Sequence, residues 1–444
     1  MEASFNHQCE AAAGGRNRGK GGSPGGLLVL LLAAILAAGW VVSPQPVVFA
    51  AAKKAAPVKA VTGLGTGAII NPGSPTTTAP WRGSYVYYGK YNGRKPTRYR
   101  ILDKVSGDFR VSGGSMLLDC DRTLYRSRFD CDGYANPGAR RANVWACSDV
   151  KSGLNGDLFL MKPGNLTDAE RDAIAPSVKT AAAPGDGGGW TSLAGTALFG
   201  EKIFLLDAKE ATRASYGYSG THNNATNRVK AGVRIDWKID VKTKIKTSRA
   251  SWWWLRSPYS YIDRYAGSVD SDGEVSGYNV DGYRGVSPAF NVGLPSVIFS
   301  SLIRSSESSP DAGKYGAEYK LTLKDSGLSV AAGTATRGIG NMVSIPYSIT
   351  DNSGSAEPTQ VSVAVTKGIW TANGWSGGSQ LLQYARLDAG SFGLAGTGTF
   401  SLDDSRVPGT WGRDYHVYLL AEDVNGEKET DYASAPVEVV MAAE

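Results

Sequence analysis

Histidine is scarce: there are three in 444 residues, and only His222 and His416 lie beyond the first ten. His222 falls in the polar stretch "SGTHNNATN" and His416 in an apolar run far downstream, which argues against a site shared between them. No H-E-x-x-H, nucleophile elbow or phosphate loop occurs in a suitable context. Asp and Glu are plentiful, but no pair stands out for acid–base work. "DSDG" at Asp270–Gly273 offers oxygen ligands without the later Glu of a calcium loop, so it is read as a turn. These absences predict a protein that is not an enzyme and holds neither metal nor cofactor.

Cysteine is sparse too, at four. Cys9 precedes the first apolar run and cannot be the acylated Cys of a lipoprotein. Cys120 and Cys131 close a short loop and are a candidate disulfide, worth on the order of 2–3 kcal/mol. Cys147 is left over and reads as a small buried apolar residue on a helix. Charge of one sign is also lacking: 47 Lys and Arg against 41 Asp and Glu leave a formal +6. The one basic stretch carries Arg234, Lys238, Lys242, Lys244, Lys246 and Arg249, with Val241, Thr243, Ile245 and Thr247 alternating between the lysines. That is the pattern of a half-buried strand with a solvated, aggregation-resistant edge, and no nucleic-acid partner is expected.

Glycine (56), Tyr (21) and Trp (11) are abundant, and they favour β-rich modules. The length suits two or three domains. Arg16, Arg18 and Lys20 precede an uncharged run from Leu27 to Val42; Pro44 and Pro46 follow, then small residues that suit cleavage after Ala50 or Ala52. A helix over that run would be roughly 24 Å long, short against a hydrocarbon core of about 30 Å. Residues 1–52 are therefore an export signal, cleaved or kept as an anchor, and the only expected membrane contact. The protein is expected to be exported, either secreted or displayed at the cell surface.

Residues 53–80, rich in Ala, Pro, Thr and Gly, read as a flexible linker. Ser84–Tyr91, Asn92-Gly93 and Thr97–Asp103 carry a hairpin signature. Val150, Leu154 and Leu158 share one helical face, and Thr167/Glu170 and Asp207/Glu210 are capping boxes. Short helices are thus expected within a strand-dominated domain spanning 81–294. Residues 295–314 read as a Ser-rich linker. From 315 to 444, seven alternating runs (Glu318–Leu323, Val343–Thr350, Gln360–Lys367, Leu381–Leu387, Thr397–Leu402, Tyr415–Asp423 and Pro436–Met441) predict an immunoglobulin-like β-sandwich.

The most specific stretch runs from Ser251 to Val292. Trp252, Trp253 and Trp254 carry too much aromatic surface to stay wet, so one or two must anchor the core. Four segments here, Tyr87–Asp103, Phe204–Asp207, Trp253–Pro258 ("WWLRSP") and Gly285–Val292 ("GVSPAFNV"), resemble in order the hallmarks of bacterial surface proteins carrying a domain of unknown function, DUF6273. Ser287 stands where that family usually has Arg. The resemblance implies kinship with the C-type-lectin fold and its formylglycine-generating branch, hence an α+β, C-type-lectin-like domain with short helices ahead of the all-β sandwich. That branch uses a late pair of Cys; here every Cys precedes Ser148, so no oxidase activity carries over.

Between Pro258 and Gly285 lie Tyr259, Tyr261, Asp263, Arg264, Tyr265, Asp270, Asp272, Tyr278, Asn279, Asp281, Tyr283 and Arg284. Tyr supplies broad amphipathic contact at low entropy cost, and Asp and Asn supply adaptable hydrogen bonds, as in antibody loops. These twelve residues are the expected ligand-binding surface, for an extracellular protein or glycan. The function expected is non-catalytic binding or adhesion at the cell envelope. The alternatives are a structural cell-surface protein without a specific ligand and, third, an envelope enzyme.

Overall fold

The computed structural model describes residues 59–73, 82–131, 142–181, 193, 195–218, 234–239, 246–270, 275–304, 316–352 and 356–442. The expected export segment, His222, Asp272 and the middle of the basic stretch lie outside them. Among the described residues no helix is long and apolar enough to cross a membrane.

The α+β expectation does not hold. Strand accounts for 48% and helix for 9%, with two α-helices among the described residues, and the architecture is all-β-like with several sheets. Both helices are real but too short to form a layer. Asp149–Asn155 is capped by Ser148 and buries Val150 and Leu154, but it stops before Gly156, so Leu158 is 47% exposed instead of extending the apolar face. Asp168–Ala173 is opened by the Thr167/Glu170 capping box, both of whose hydrogen bonds form. The second box also forms, Asp207 N–H donating to Glu210 Oε2 at 2.9 Å and Glu210 N–H to Asp207 Oδ1 at 2.8 Å. It opens only the 3₁₀ turn Glu210–Thr212. A cap satisfies end groups, but helix length is decided by what the following residues can pack against.

A 14-stranded sheet runs through the described chain. Its main path orders Ile203–Phe204, Ala289–Gly293, Ser115–Cys120, Lys95–Ser106, Tyr85–Tyr91, Glu318–Lys324, Asp431–Ala433, His416–Asp423, Gln360–Lys367 and Gln380–Arg386. The hairpin between Tyr85–Tyr91 and Lys95–Ser106 turns at Asn92 (φ 54°) and Gly93 (φ 65°), the left-handed pair that Asn-Gly tolerates. One large core, including Tyr99, Leu118, Trp254 and Phe290, packs on this half.

The two stretches read as linkers contain strands. Gly63–Leu64 pairs with Val297–Arg304, and Ile69 is buried, so 53–80 is not wholly a spacer. Val297–Ser301 is buried, and Val297–Arg304 pairs along Glu318–Lys324, so 295–314 is not simply a Ser-rich tether. Glu318–Lys324, expected as the first sandwich strand, instead pairs in parallel with Tyr85–Tyr91 at its start and with Asp431–Ala433 at its end, joining the two halves of the sheet.

The other predicted sandwich strands form, and Leu328–Ala332 is added. Leu328–Ala332, Thr336–Arg337, Met342–Asp351 and Ala395–Ser401 make one layer. Gln380–Arg386, Gln360–Lys367, His416–Asp423 and Val437–Glu438 make the other. Val343, Ile345, Tyr347 and Ile349 alternate inward against Val361, Val363, Val365, Val417 and Leu419 in a second core. Pro57–Glu444 is one compact unit, because the sandwich's last strand segments belong to the shared sheet.

Candidate functional site

The Tyr-rich segment is carried by a five-stranded sheet in the order Val275–Asn279, Tyr265–Val269, Trp253–Pro258, Arg284–Val286 and Tyr125–Ser127. Trp253 and Trp254 anchor it in the core, and Trp254 Nε1–H donates to the Ser127 carbonyl at 2.9 Å. Trp252, half-buried, stays at the surface edge.

The loop from Tyr259 to Tyr265 is fixed by a residue far away in sequence. Asn143 is fully buried; its Nδ2 donates to the carbonyls of Tyr265 (2.8 Å), Tyr259 (2.9 Å) and Ile262 (3.3 Å). Its backbone N–H donates to the Asp263 carbonyl at 3.1 Å. Loop carbonyls that would otherwise need water are thereby held by one side chain, which fixes the path of the loop. Tyr259 meets Tyr261 edge-on at 6.0 Å and Tyr265 at 6.1 Å. Tyr261 projects, 72% exposed, with Asp263 and Arg264 exposed beside it in sequence.

A second group gathers at the end of the sheet. The Arg284 guanidinium lies 3.4 Å from the ring centre of Tyr278 and 4.7 Å from that of Trp252, and the two rings meet edge-on at 6.0 Å. Tyr283, 56% exposed, has the Arg128 guanidinium 5.2 Å from its ring. Arg over aromatic faces is an attractive pairing that leaves ring edges and N–H groups facing outward. Asp270, Asn279 and Asp281 are half-buried. Two glycines make room for the rings: a Cβ on Gly277 would sit 2.5 Å from the Tyr259 ring, and one on Gly282 2.5 Å from the Tyr278 ring.

The structure thus places Tyr259, Tyr261 and Tyr265 in one aromatic group and Tyr278 with Arg284 in another, with Tyr283 next to Arg284 in the chain. Asn143, Arg128 and Trp252 belong with them and were missed. Trp252 alone carried a signal, since it adds a third Trp to the "WWLRSP" motif; nothing local marks Asn143 or Arg128.

The hallmark motifs themselves are structural. Arg256 of "WWLRSP" is fully buried and donates to Asp207 Oδ2 (3.0 Å) and to Glu210 Oε2 (2.6 Å) and Oε1 (2.8 Å), tying that strand to Phe204–Asp207. Lys179 completes the cluster on Glu210. Burial pushes the Glu210 carboxyl up, but Arg256 and Lys179 outweigh it and hold its pKa down at about 2. Enclosed and paired with Arg256 and Lys179, this carboxylate ties its segment to the Trp253–Pro258 strand. Ser287 donates to the Cys120 carbonyl at 2.9 Å.

The expected Cys120–Cys131 bridge is not formed: Cys120 is buried in its strand while Cys131 is exposed, and neither is disulfide-bonded. His416 contacts Glu438 at 2.7 Å within the sandwich. Among the described residues no group of three or more His, Cys, Asp or Glu is placed to hold a metal ion.

Residues 120–294 are a DUF6273 domain, a domain of unknown function. The match begins at Cys120, so the Tyr85–Tyr91 hairpin lies ahead of it, although its strands belong to the same sheet. No curated protein and no solved structure matches the chain.

Proposed function

We propose that this chain is an exported, non-catalytic binding protein whose DUF6273 domain recognises an extracellular protein or glycan through the Tyr- and Arg-bearing loops at Tyr259–Tyr265 and Tyr278–Arg284. The observation that carries the reading is the exposure of Tyr261 and Tyr283 on backbone that is itself pinned, by Asn143 in one case and by the Arg284 stack in the other. Exposed aromatics on a rigid frame lose little entropy on binding, which is what anchor residues require. Export rests on the Leu27–Val42 run. The strands from Leu328 to Glu438 are read as an immunoglobulin-like sandwich, a four-stranded sheet packed on strands of the large sheet, serving as a spacer or second contact surface.

The test is saturable binding of the purified chain to intact cells and isolated envelopes, with Tyr261→Ala/Tyr283→Ala as the comparison. The double variant should keep its thermal midpoint and lose at least tenfold in affinity. Protease treatment of the target should abolish binding to a protein, and periodate binding to a glycan. Unchanged binding by the double variant, or none by the parent, favours a structural surface protein, a reading to which the sheet shared by both halves is also suited.

A further inference from the structure

We infer that Lys59 and Asp431 are joined by an isopeptide bond that the folded chain makes for itself, with Glu422 as the proton carrier. Lys59 Nζ lies 2.8 Å from Glu422 Oε1 and 3.4 Å from Asp431 Oδ2, and the three side chains are 2%, 0% and 0% exposed. The Phe299 and Tyr384 rings stand 5.3 and 5.9 Å from the same nitrogen, and Thr322 Oγ1 is 2.6 Å away. An amine and two carboxyl groups are therefore held together in a space walled by aromatic rings.

The two carboxylates are not equivalent. Glu422 Oε2 accepts from Tyr384 (2.5 Å), Ser362 (2.6 Å) and Gln360 (2.9 Å), so this side chain is locked in place. Asp431 Oδ1 faces Lys320 Nζ at 2.6 Å and accepts from the Asn425 N–H at 2.7 Å. Asp431 Oδ2 is buried and accepts no hydrogen bond. While Oδ1 is held by Lys320 and the Asn425 N–H, Oδ2 is the oxygen beside the amine, 3.4 Å from Lys59 Nζ, which marks it as the leaving oxygen.

The reaction balances without any co-reactant. Burial disfavours the Lys59 charge, but Glu422 and Asp431 favour it more, so the ground state is an ion pair. A proton passes from Nζ to Glu422 through their hydrogen bond, and the freed lone pair attacks Asp431 Cγ. Lys320 and the Asn425 N–H stabilise the negative charge that develops on Oδ1. Glu422 relays two of the three Nζ protons to Oδ2; the Cγ–Oδ2 bond breaks and water leaves, while the Nζ–Cγ amide bond remains. One ammonium and one carboxylate, both costly to bury, become one neutral amide. Reacting groups held about 3–3.5 Å apart gain the rate advantage of an intramolecular step, and the reaction is needed once per chain.

Intact-mass spectrometry and tryptic mapping of the purified full chain test this. The expected mass is one water below that of the sequence between the observed ends. Trypsin should fail to cut after Lys59, and one branched peptide should contain Lys59 and Asp431. Lys59→Arg and Glu422→Gln chains should each show their full sequence mass, with circular dichroism reporting whether each is folded. A parent chain at full mass, cut after Lys59, overturns the proposal whatever the variants do. A cross-link from Lys59 to Glu422, or a folded Glu422→Gln chain cross-linked as completely as the parent, overturns the assigned roles.

Discussion

Thr322 lies opposite Asp431 in a parallel ladder, and this pairing joins Asp431–Ala433, which also pairs with the sandwich strand His416–Asp423, to the sheet of the first half. The residue after Asp431 completes the join: Tyr432 is buried in the first core, and its hydroxyl is 2.9 Å from Thr167 Oγ1. Thr430, just before, donates to Glu170 at 2.7 Å.

Tyr432→Ala should therefore destabilise both halves together, by about 3–5 kcal/mol as for other buried aromatic truncations. Urea unfolding followed by hydrogen exchange of peptides from Tyr85–Ser106 and from Met342–Asp351 checks this. Both should lose protection; loss in the sandwich peptide alone would show that the halves are energetically separate.

Arg256→Met should cost about 3–5 kcal/mol, because Asp207 and Glu210, both buried, would be left to share the single charge of Lys179. Urea midpoints measure it. Changing Arg256, Asp207, Glu210 and Lys179 together to apolar side chains should recover much of the loss, since the desolvation cost leaves with the charges.

Acid should weaken the fold in a defined window. The Glu210 pKa falls from 4.5 in the unfolded chain to about 2 in the fold, so its stabilisation is fully present above about pH 4.5 and is lost as pH falls through 2. Asp121 shifts the same way: burial pushes its carboxyl up, and Arg100 with Arg98 more than compensates. Stability measured between pH 5 and 2 should fall with pH, and Glu210→Gln should flatten the slope without removing it.

Asn143→Ala should release the Tyr259–Tyr265 loop while sparing the strands. Three carbonyl contacts are lost, for about 1–3 kcal/mol. Hydrogen exchange should accelerate in the loop peptide and stay unchanged in Ala289–Gly293. If the loop is the binding surface, affinity should fall in the same variant even though no contact residue has changed.

Much of the sandwich was legible because its strands are half-buried: in Met342–Asp351 the inward Val343, Ile345, Tyr347 and Ile349 alternate with outward residues. The Asn92-Gly93 turn and both capping boxes were legible because their hydrogen bonds are local. Gly63–Leu64 was hidden because it is two residues in a Gly- and Ala-rich stretch and its partner lies far along the chain. Val297–Arg304, apolar at Val297, Ile298, Phe299, Leu302 and Ile303, was masked by the Ser-rich residues that follow it. The helical face of Val150, Leu154 and Leu158 was over-read because periodicity does not show where packing stops.

The candidate surface divides in the same way. Sequence alone placed the tyrosines in one segment and put bulky tryptophans in the core, because composition and aromatic area are properties of the segment itself. Tertiary structure decided that Asn143 would hold one loop, that Arg284 would stack on Tyr278, and that Gly277 and Gly282 would leave room for the rings. It also decided that Lys59, in a stretch that reads as a spacer, would meet Glu422 and Asp431 in the interior. Local pattern fixes which face of a strand turns inward, but only the folded chain fixes which distant residue it meets there.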